Sequence, residues 1–217
     1  MNEQEPSETT TLPAATTATD DDATTNNTIG YVHVYTGNGK GKTTAAFGLA
    51  IRALMAGKRV FVGQFVKSMK YHETKIVEAL ATSPYHQHLR IEQFGNGCFI
   101  YQHDPTPDDI HMAVAGFKKC ERILARENHK NHNESQDNCN YDLVILDEIT
   151  IALKYNLLDV ERVVEAIRNR HPAIEVVVTG RYAPQELIDI GDVVTEMKEI
   201  KHYFKTKGVL ARDGIER

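Results

Sequence analysis

A cluster of glycine, lysine and threonine residues near position 40 is the part of the sequence best suited to chemistry. Residues 36–44 read TGNGKGKTT, and they follow a short apolar run. Glycines allow backbone N–H groups to converge on phosphate oxygens, and the start of a following helix favours negative charge. Lys42 supplies a mobile positive charge, and the hydroxyl of Thr43 is a suitable ligand for Mg²⁺. The segment therefore predicts a phosphate-binding loop (P-loop).

This loop departs from the common pattern at one position. The usual motif has a glycine five residues before the Gly-Lys-Thr segment, and here that position is Thr36. Gly37 follows one residue late. Because strand, turn and helix signals agree around the loop, a phosphate site is a better interpretation than an unrelated glycine-rich turn.

Two adjacent carboxylates form the second chemical feature. Asp147 and Glu148 follow the apolar run Leu143 to Leu146, and such a run is typical of a strand buried in the middle of a parallel sheet. Ligands of these sheets bind at the carboxyl ends of the strands. Acidic residues also end strands for capping reasons, so the pair alone leaves both interpretations open. Beside a P-loop, we expect at least one carboxylate to reach the Mg²⁺.

The elements that position these residues indicate an α/β fold. From Tyr31 onward, short apolar runs alternate with helical patterns, which is typical of βαβ units. We expect a P-loop NTPase-like (RecA-like), mostly parallel sheet flanked by helices. In the last twenty residues the apolar side chains show no clear helical or strand periodicity. We expect this segment to pack late in folding or over a binding site. Strands are predicted at 31–35, 60–66, 89–94, 143–146, 174–179 and 192–197, and helices at 42–56, 73–81, 105–126, 159–171 and 184–190.

The chain is predicted to have two parts. Residues 1–29 are rich in Thr, Asp, Asn and Ala and have almost no large apolar side chain. Such a segment cannot bury enough surface to offset the entropy of ordering, so we expect a disordered leader. A lid over a neighbouring active site is the alternative. Residues 30–217 are expected to form one P-loop domain.

Charge and cysteine content exclude several classes of protein. The formal net charge of −5 indicates no basic surface for nucleic acids. No apolar run approaches the roughly 20 residues needed to span a bilayer, and no secretory signal is visible. The three cysteines share no metal-ligand spacing, which fits a reducing compartment. We therefore expect a soluble, cytoplasmic protein without nucleic-acid or membrane partners.

Together these features resemble the P-loop family of ATP:corrinoid (cob(I)alamin or cob(I)yrinic acid a,c-diamide) adenosyltransferases. The resemblance covers residues 30–217, and the shortened phosphate loop is itself a mark of the family. The matching segments are YTGNGKGKTTAAFGLA at 35–50, QF at 64–65 with Lys67, LDE at 146–148, ALKY at 152–155, LL at 157–158, TGR at 179–181, DVVTEM at 192–197, KHYF at 201–204, and Gly208, Ala211, Gly214 and Ile215.

The resemblance implies an enzyme that transfers the 5′-deoxyadenosyl group of ATP to the Co(I) of a reduced corrinoid. Triphosphate is the product, and the reaction belongs to adenosylcobalamin synthesis or salvage. ATP would lie in the reverse sense along the loop, so that its ribose carbon faces the corrinoid. The same resemblance implies Mg²⁺ as a cofactor, a homodimer, and a flavoprotein reductase as a source of electrons.

The family pattern also implies roles for individual residues. Lys42, Thr43 and Glu148 would be catalytic. Thr43 and Glu148 would hold Mg²⁺, with Asp147 as the other candidate carboxylate. The triphosphate would be bound by Gly37, Asn38, Gly39, Lys40, Gly41, Lys42, Thr43 and Thr44. Further candidates for contact with nucleotide or corrinoid are Gln64, Arg181, Lys201 and His202, although basic residues near a sheet edge are also commonly just solvated.

One segment departs from the family pattern. The family commonly has Gly-Phe-Thr-Trp near the corrinoid, whereas this chain has no Trp and reads GCFIY at 97–101. Phe99 and Tyr101 are therefore both candidates for displacing the lower ligand of the corrinoid. The alternative is that they are ordinary apolar anchors of a loop.

Two other classes of function remain open on the sequence. The first is an ATPase of the recombinase or helicase type, in which Glu148 would polarise a water molecule. The short loop and the absence of a basic surface speak against it. The second is a non-enzymatic nucleotide- or corrinoid-binding chaperone that delivers its cargo to another enzyme.

Overall fold

The computed structural model describes residues 29–67, 71–95, 104–127 and 140–216. The strands of this part are β1 (Val32–Thr36), β2 (Val60–Phe65), β3 (Leu89–Phe94), β4 (Leu143–Asp147), β5 (Glu175–Thr179) and β6 (Val193–Glu196). The α-helices are α1 (Lys42–Met55), α2 (Ile76–Ala79), α3 (Pro107–Leu124), α4 (Ile149–Lys154), α5 (Val160–Arg168), α6 (Gln185–Asp189) and α7 (Tyr203–Lys207).

The strands form one sheet in the order β3-β2-β4-β5-β1-β6. Every pairing among the described strands is parallel. All carboxyl ends therefore lie at the same edge, where β1 leads into the phosphate loop and β4 ends at Asp147. The strand β5 separates these two. The predicted α/β fold is confirmed, and the predicted strand at 192–197 lies at the edge of the sheet as β6.

The sheet is covered on both faces, which explains its continuous apolar strands. All residues of β2 and β4 are buried. Side chains alternate between the faces of a strand, so Val60 packs in the cluster beneath α1 while Phe61 packs in the opposite cluster. Burying each such side chain stabilises the fold by roughly 1.5–3 kcal/mol. The site therefore stands on a rigid base.

Element boundaries agree with the sequence to within a few residues for most elements. The bounds of β3 are those predicted, and α3 begins after Thr106 with a capping box that involves Asp109. The predicted helix at 73–81 is instead a 3₁₀ turn at His72–Lys75 followed by the single turn α2. No residue of either turn is fully buried, although Ile76 and Val77 pack partly against the core.

Two helices were not predicted. In α4 five of the six residues are buried, Ile149 to Leu153, so the amphipathic period that reveals a surface helix is absent. The other is α7, a helix of only five residues that His202 caps and Gly208 ends. A helix this short shows no usable period in the sequence.

Some predictions fall outside the described part of the chain. They are the leader, of which only Ile29 is described, and the loop residues Phe99 and Tyr101. Across the described ranges, no helix combines the length and apolar character needed to cross a membrane.

Candidate active site

The phosphate loop has the shape that its glycines predict. It connects the end of β1 to α1, and both Gly37 (φ 93°) and Gly41 (φ 116°) adopt positive φ angles. Such angles suit glycine because it has no Cβ. The loop begins at Gly37 because Thr36 still belongs to β1, which accounts for the late glycine in the motif.

The end of β6 supports this loop from behind. The N–H of Gly39 donates to the carbonyl of Met197 at 2.6 Å, and the N–H of Met197 donates to the carbonyl of Thr36 at 2.8 Å. A Cβ added at Gly37 or Gly39 would lie 2.6 or 2.5 Å from the Met197 oxygen. Glycine is therefore required at both positions by this close approach.

Lys42 lies across the loop with its charged end held by backbone carbonyls. Its Nζ donates to the oxygen of Gly37 at 2.8 Å and to that of Gly39 at 2.7 Å. Burial lowers the pKa of Lys42, and the negative charge of Glu148 opposes that shift. The loop's own carbonyls thus hold the lysine at the loop.

Behind the loop, Asp147 is the centre of a buried hydrogen-bond cluster. Its Oδ1 accepts from Thr43 Oγ1 at 2.8 Å and from Thr179 Oγ1 at 2.7 Å. Its Oδ2 accepts from Gln64 Nε2 at 3.0 Å and from Lys67 Nζ at 2.7 Å. Burial disfavours the charged carboxylate, but the Lys67 charge and these hydrogen bonds outweigh it and hold the pKa of Asp147 below its usual value.

Glu148 lies next to this cluster, near the charges of Lys67 and Lys42. It adopts φ 58° at the start of α4, and its N–H donates to Thr179 Oγ1 at 3.0 Å. Burial, and then the negative charge of Asp147, raise the pKa of Glu148, while the charges of Lys67 and Lys42 oppose the shift. The two adjacent carboxylates therefore have different environments and suit different tasks.

A cavity of about 640 Å³ opens above the loop, a size typical of small-molecule sites. The loop, the end of β4 and the C-terminal segment meet in its wall. The lining residues are Asn38, Gly39, Lys40, Gly41, Lys42, Thr43, Thr44, Phe47, Gly48, Ile51, Lys67, Tyr71, His72, Glu73, Glu148, Arg181, His202, Gly214, Ile215 and Glu216.

The structure brings most of the predicted site residues into this one cavity. Loop residues 38–44 line it together with Glu148, Arg181 and His202. Asn38, Arg181 and His202 also border a neighbouring cavity of about 670 Å³. The basic candidates Arg181 and His202 are thus placed where they can contact a ligand.

Other predicted residues lie outside the cavity wall. Gln64 is fully buried behind it, where it donates to Asp147 and accepts from Gln93 Nε2 at 3.1 Å. Asp147 lies behind Thr43, and Gly37 contributes a carbonyl to Lys42. Lys201 is exposed and lines neither cavity. The structure thus gives Gln64 and Lys201 no place in either cavity wall.

Two residues of the site, Lys67 and Thr179, received no role from the sequence. Lys67 lines the cavity and forms an ion pair with Asp147, and Thr179 links Asp147 to the backbone of Glu148. Each lies at or just after the carboxyl end of a parallel strand. This position could have identified them, because the carboxyl ends of all the parallel strands meet at one edge of the sheet.

The C-terminal segment packs over the loop, as expected for the last twenty residues. Lys40 Nζ lies 2.7 Å from Glu216 Oε1 and 3.2 Å from the hydroxyl of Tyr203. Glu216 also contacts that hydroxyl and pairs with Arg212. The outer rim of the cavity is therefore formed by residues far from the loop in sequence.

The residues present fit a nucleotide-bound Mg²⁺ ion. Within the described ranges, no three His, Cys, Asp or Glu side chains are grouped to form a metal cage. Mg²⁺ that is bound with a nucleotide needs only one or two protein carboxylates, because phosphates and water supply its other ligands. The Thr43 hydroxyl and the Glu148 carboxylate are hard oxygen donors in the wall of one cavity.

The parallel sheet, the phosphate loop and the carboxylates at the end of β4 define a P-loop nucleotide-binding protein. The sequence model of the family described as ATP:corrinoid adenosyltransferase BtuR/CobO/CobP matches residues 28–217. The chain belongs to this family, as the sequence motifs predicted, and is therefore a transferase.

Curated relatives agree with this assignment. A corrinoid adenosyltransferase of Sinorhizobium sp is 34% identical over 197 residues, which cover 86% of this chain and 80% of the relative. The corrinoid adenosyltransferase of Pseudomonas aeruginosa is 35% identical over 187 residues, with 86% and 83% covered. That of Escherichia coli K12 is 33% identical over 188 residues, with 86% and 85% covered.

Proposed function

We propose that the protein transfers the 5′-deoxyadenosyl group of ATP to the Co(I) of a reduced corrinoid and releases triphosphate. One observation carries the proposal: the phosphate loop and Glu148 line a single cavity in a chain that belongs to this family. Both substrates follow from the family, and the loop supplies the physical means to hold the triphosphate.

The electron balance of the reaction explains why the site needs no general base. Co(I) supplies the electron pair of the new cobalt–carbon bond, and the bond between C5′ and the α-phosphate oxygen breaks. The leaving electron pair stays on the triphosphate. The protein must therefore align the two reactants and stabilise the negative charge that develops on the leaving group.

Loop residues 37–44 are proposed to bind the triphosphate through their backbone N–H groups at the start of α1. Lys42 would exchange its contacts with the Gly37 and Gly39 carbonyls for contacts with phosphate oxygens. We further propose that ATP lies in the reverse sense, with its ribose carbon toward the corrinoid. A co-crystal with the terminal phosphate aimed at the corrinoid would contradict this orientation.

Thr43 and Glu148 are proposed to hold the Mg²⁺ ion. Two features support this assignment. Thr43 directs its proton toward Asp147, and its oxygen accepts a long contact from Lys67 Nζ at 3.5 Å, so one lone pair remains for a metal. Glu148 is the carboxylate that lines the cavity. When bound, the ion neutralises part of the negative charge of the triphosphate.

A direct test mixes the protein with ATP, Mg²⁺ and a chemically reduced corrinoid. The expected results are a cobalt–carbon bond in the visible spectrum, formed over many turnovers, and triphosphate as the product. Release of free phosphate without triphosphate would favour the ATPase alternative. One turnover or none would favour a carrier protein. Running the assay with complete and incomplete corrinoids also defines the preferred substrate.

The finer expectations from the sequence stay proposals. They include the domain at residues 30–217, the disordered leader, a homodimer and a cytoplasmic location. An external reductase, such as a flavoprotein, would supply the electrons that produce Co(I). Phe99 and Tyr101 remain the candidates for contact with the corrinoid. Light scattering of the purified protein tests the homodimer, and the reduced-corrinoid assay with an added reductase tests the source of electrons.

A further inference from the structure

Lys67 is a buried lysine that the proposed reaction does not use. It follows β2 and is only 8% exposed, although lysine is almost never buried unless it is paired. Its Nζ lies 2.7 Å from Asp147 Oδ2 and 3.5 Å from Thr43 Oγ1. It also lies 5.2 Å from the centre of the Tyr71 ring. The ammonium is therefore fixed between the carboxylate and the proposed metal ligand.

The contacts of Asp147 leave no site on it for a metal. A carboxylate has about four lone-pair positions for hydrogen bonds. Thr43 and Thr179 donate to Oδ1, and Gln64 and Lys67 donate to Oδ2. All positions on both oxygens are thus in use inside the protein.

Both proposed metal ligands are tied to this carboxylate. Thr43 donates its hydroxyl proton to Asp147 directly. Glu148 is tied through Thr179, whose oxygen accepts from the Glu148 N–H and donates to Asp147. The orientation of Thr43 and of the Glu148 backbone therefore depends on Asp147.

We propose that Lys67 is a positioning residue for the metal. By pairing with Oδ2 it keeps Asp147 in place as a hydrogen-bond acceptor, so that Thr43 and Glu148 are presented to Mg²⁺ and Asp147 stays outside the coordination shell. This inference rests on the proposed function for the presence of Mg²⁺ with the nucleotide. Lys67 thereby gains a role, and the two carboxylates a division of labour, beyond what the sequence motifs implied.

The test measures how much Mg²⁺ improves ATP binding, by calorimetry of the full chain with Mg²⁺ and with EDTA. Loss of an outer-shell partner typically costs about 10- to 100-fold in metal affinity. We expect K67M and D147N each to reduce the Mg²⁺-dependent gain in ATP affinity by about 10- to 100-fold. Because Lys67 acts through Asp147, the double variant K67M/D147N should lose no more than the larger single loss.

Several outcomes would overturn the inference. One is a K67M variant with an unchanged Mg²⁺-dependent gain. Another is a double variant in which the two losses multiply, because Lys67 would then act independently of Asp147, for instance by contacting a phosphate. A third is ATP binding by the unsubstituted protein that does not respond to Mg²⁺.

Controls separate folding from positioning. The double variant removes one positive and one negative charge together, so its unfolding temperature should exceed that of K67M, which leaves Asp147 buried and unpaired. If K67M does not fold, the comparison of K67M/D147N with D147N carries the test, because a larger loss in the double variant would overturn the inference. K58M removes an exposed lysine outside both cavities and should leave the gain unchanged. No corrinoid is present, so failure of adenosyl transfer alone would leave this inference standing.

Discussion

Two groups of residues hold the phosphate loop, and they differ in burial and in exposure to solvent. The buried cluster consists of Thr43, Gln64, Lys67, Asp147 and Thr179. Asp147 and Gln64 in it are fully buried, and Lys67 nearly so. The outer cluster consists of Lys40, Tyr203, Arg212 and Glu216, in which the Lys40 side chain is 39% exposed.

The difference concerns what each cluster can do when a ligand arrives. Breaking a buried ion pair by removing one partner costs about 3–5 kcal/mol, so the buried cluster keeps its geometry. In the outer cluster, the Lys40–Glu216 contact is exposed to water and is therefore screened by salt. Lys40 can therefore leave Glu216 for a phosphate at little cost. A rigid base and an exchangeable rim suit a site that must bind and release a highly charged product.

The largest expected effect comes from Lys42, which lies between the two clusters. K42A should lower the rate of adenosyl transfer by about 10²- to 10³-fold, the usual cost of removing one donor to developing negative charge. The fold should persist, because Lys42 contacts only carbonyls of its own loop in the described structure. The measurements are product formation and circular dichroism. Near-normal turnover would refute the phosphate role.

The next effect tests the division between the two carboxylates. E148Q should raise the Mg²⁺ concentration needed for half-maximal ATP binding by about 10- to 100-fold. The physical reason is that the amide keeps the shape of the side chain but loses the charged ligand. A Mg²⁺ titration of ATP binding measures it. An unchanged titration would show that Glu148 is not a metal ligand and would contradict the proposed division between the two carboxylates.

The same substitution should make the free protein more stable at neutral pH. The folded-state pKa of Glu148 is raised by burial and by Asp147, so the folded state disfavours the charged form. This stability penalty is absent below the pKa of Glu148 in the unfolded state, about 4.3, and develops as the pH rises through its pKa in the folded state. E148Q should therefore raise the unfolding temperature at pH 7 but not at pH 4, measured in EDTA. Equal shifts at both pH values would contradict the electrostatic cause.

The smallest effect is expected in the outer cluster. E216Q removes the negative charge beside Lys40, so ATP affinity at low salt should rise by no more than about threefold. High salt should abolish the difference, because exposed charges are screened. Calorimetry at two salt concentrations checks this. A tenfold loss of affinity would instead show that Glu216 closes over the bound nucleotide and that the rim is not freely exchangeable.

The contrast between the clusters also explains which features could be predicted from the sequence. The loop at 36–44 and the pair Asp147-Glu148 are local patterns with fixed chemical meaning, so their residues could be named in advance. The contacts of Gln64 and Lys67 with Asp147 depend on tertiary structure, because they arise from the pairing of β2 with β4. A sequence pattern shows that such residues lie near the sheet edge but not which partner each one meets.

The same limit applies to secondary structure. Parallel strands such as β4 could be located because their apolar runs are continuous and short. The helix α4 could not, because Ile149 to Leu153 are all buried and show no polar face. Helix prediction depends on contrast between two faces, and this helix packs on every side.

The support of Gly37 and Gly39 by Met197 has a consequence for how binding ability arises during synthesis. The motif itself is complete early in the chain, but the strand that braces it is among the last to be made. A growing polypeptide that has not yet reached β6 carries the full phosphate motif without the backbone that holds it in shape. We therefore expect the loop to reach its binding shape only once β6 has completed the sheet.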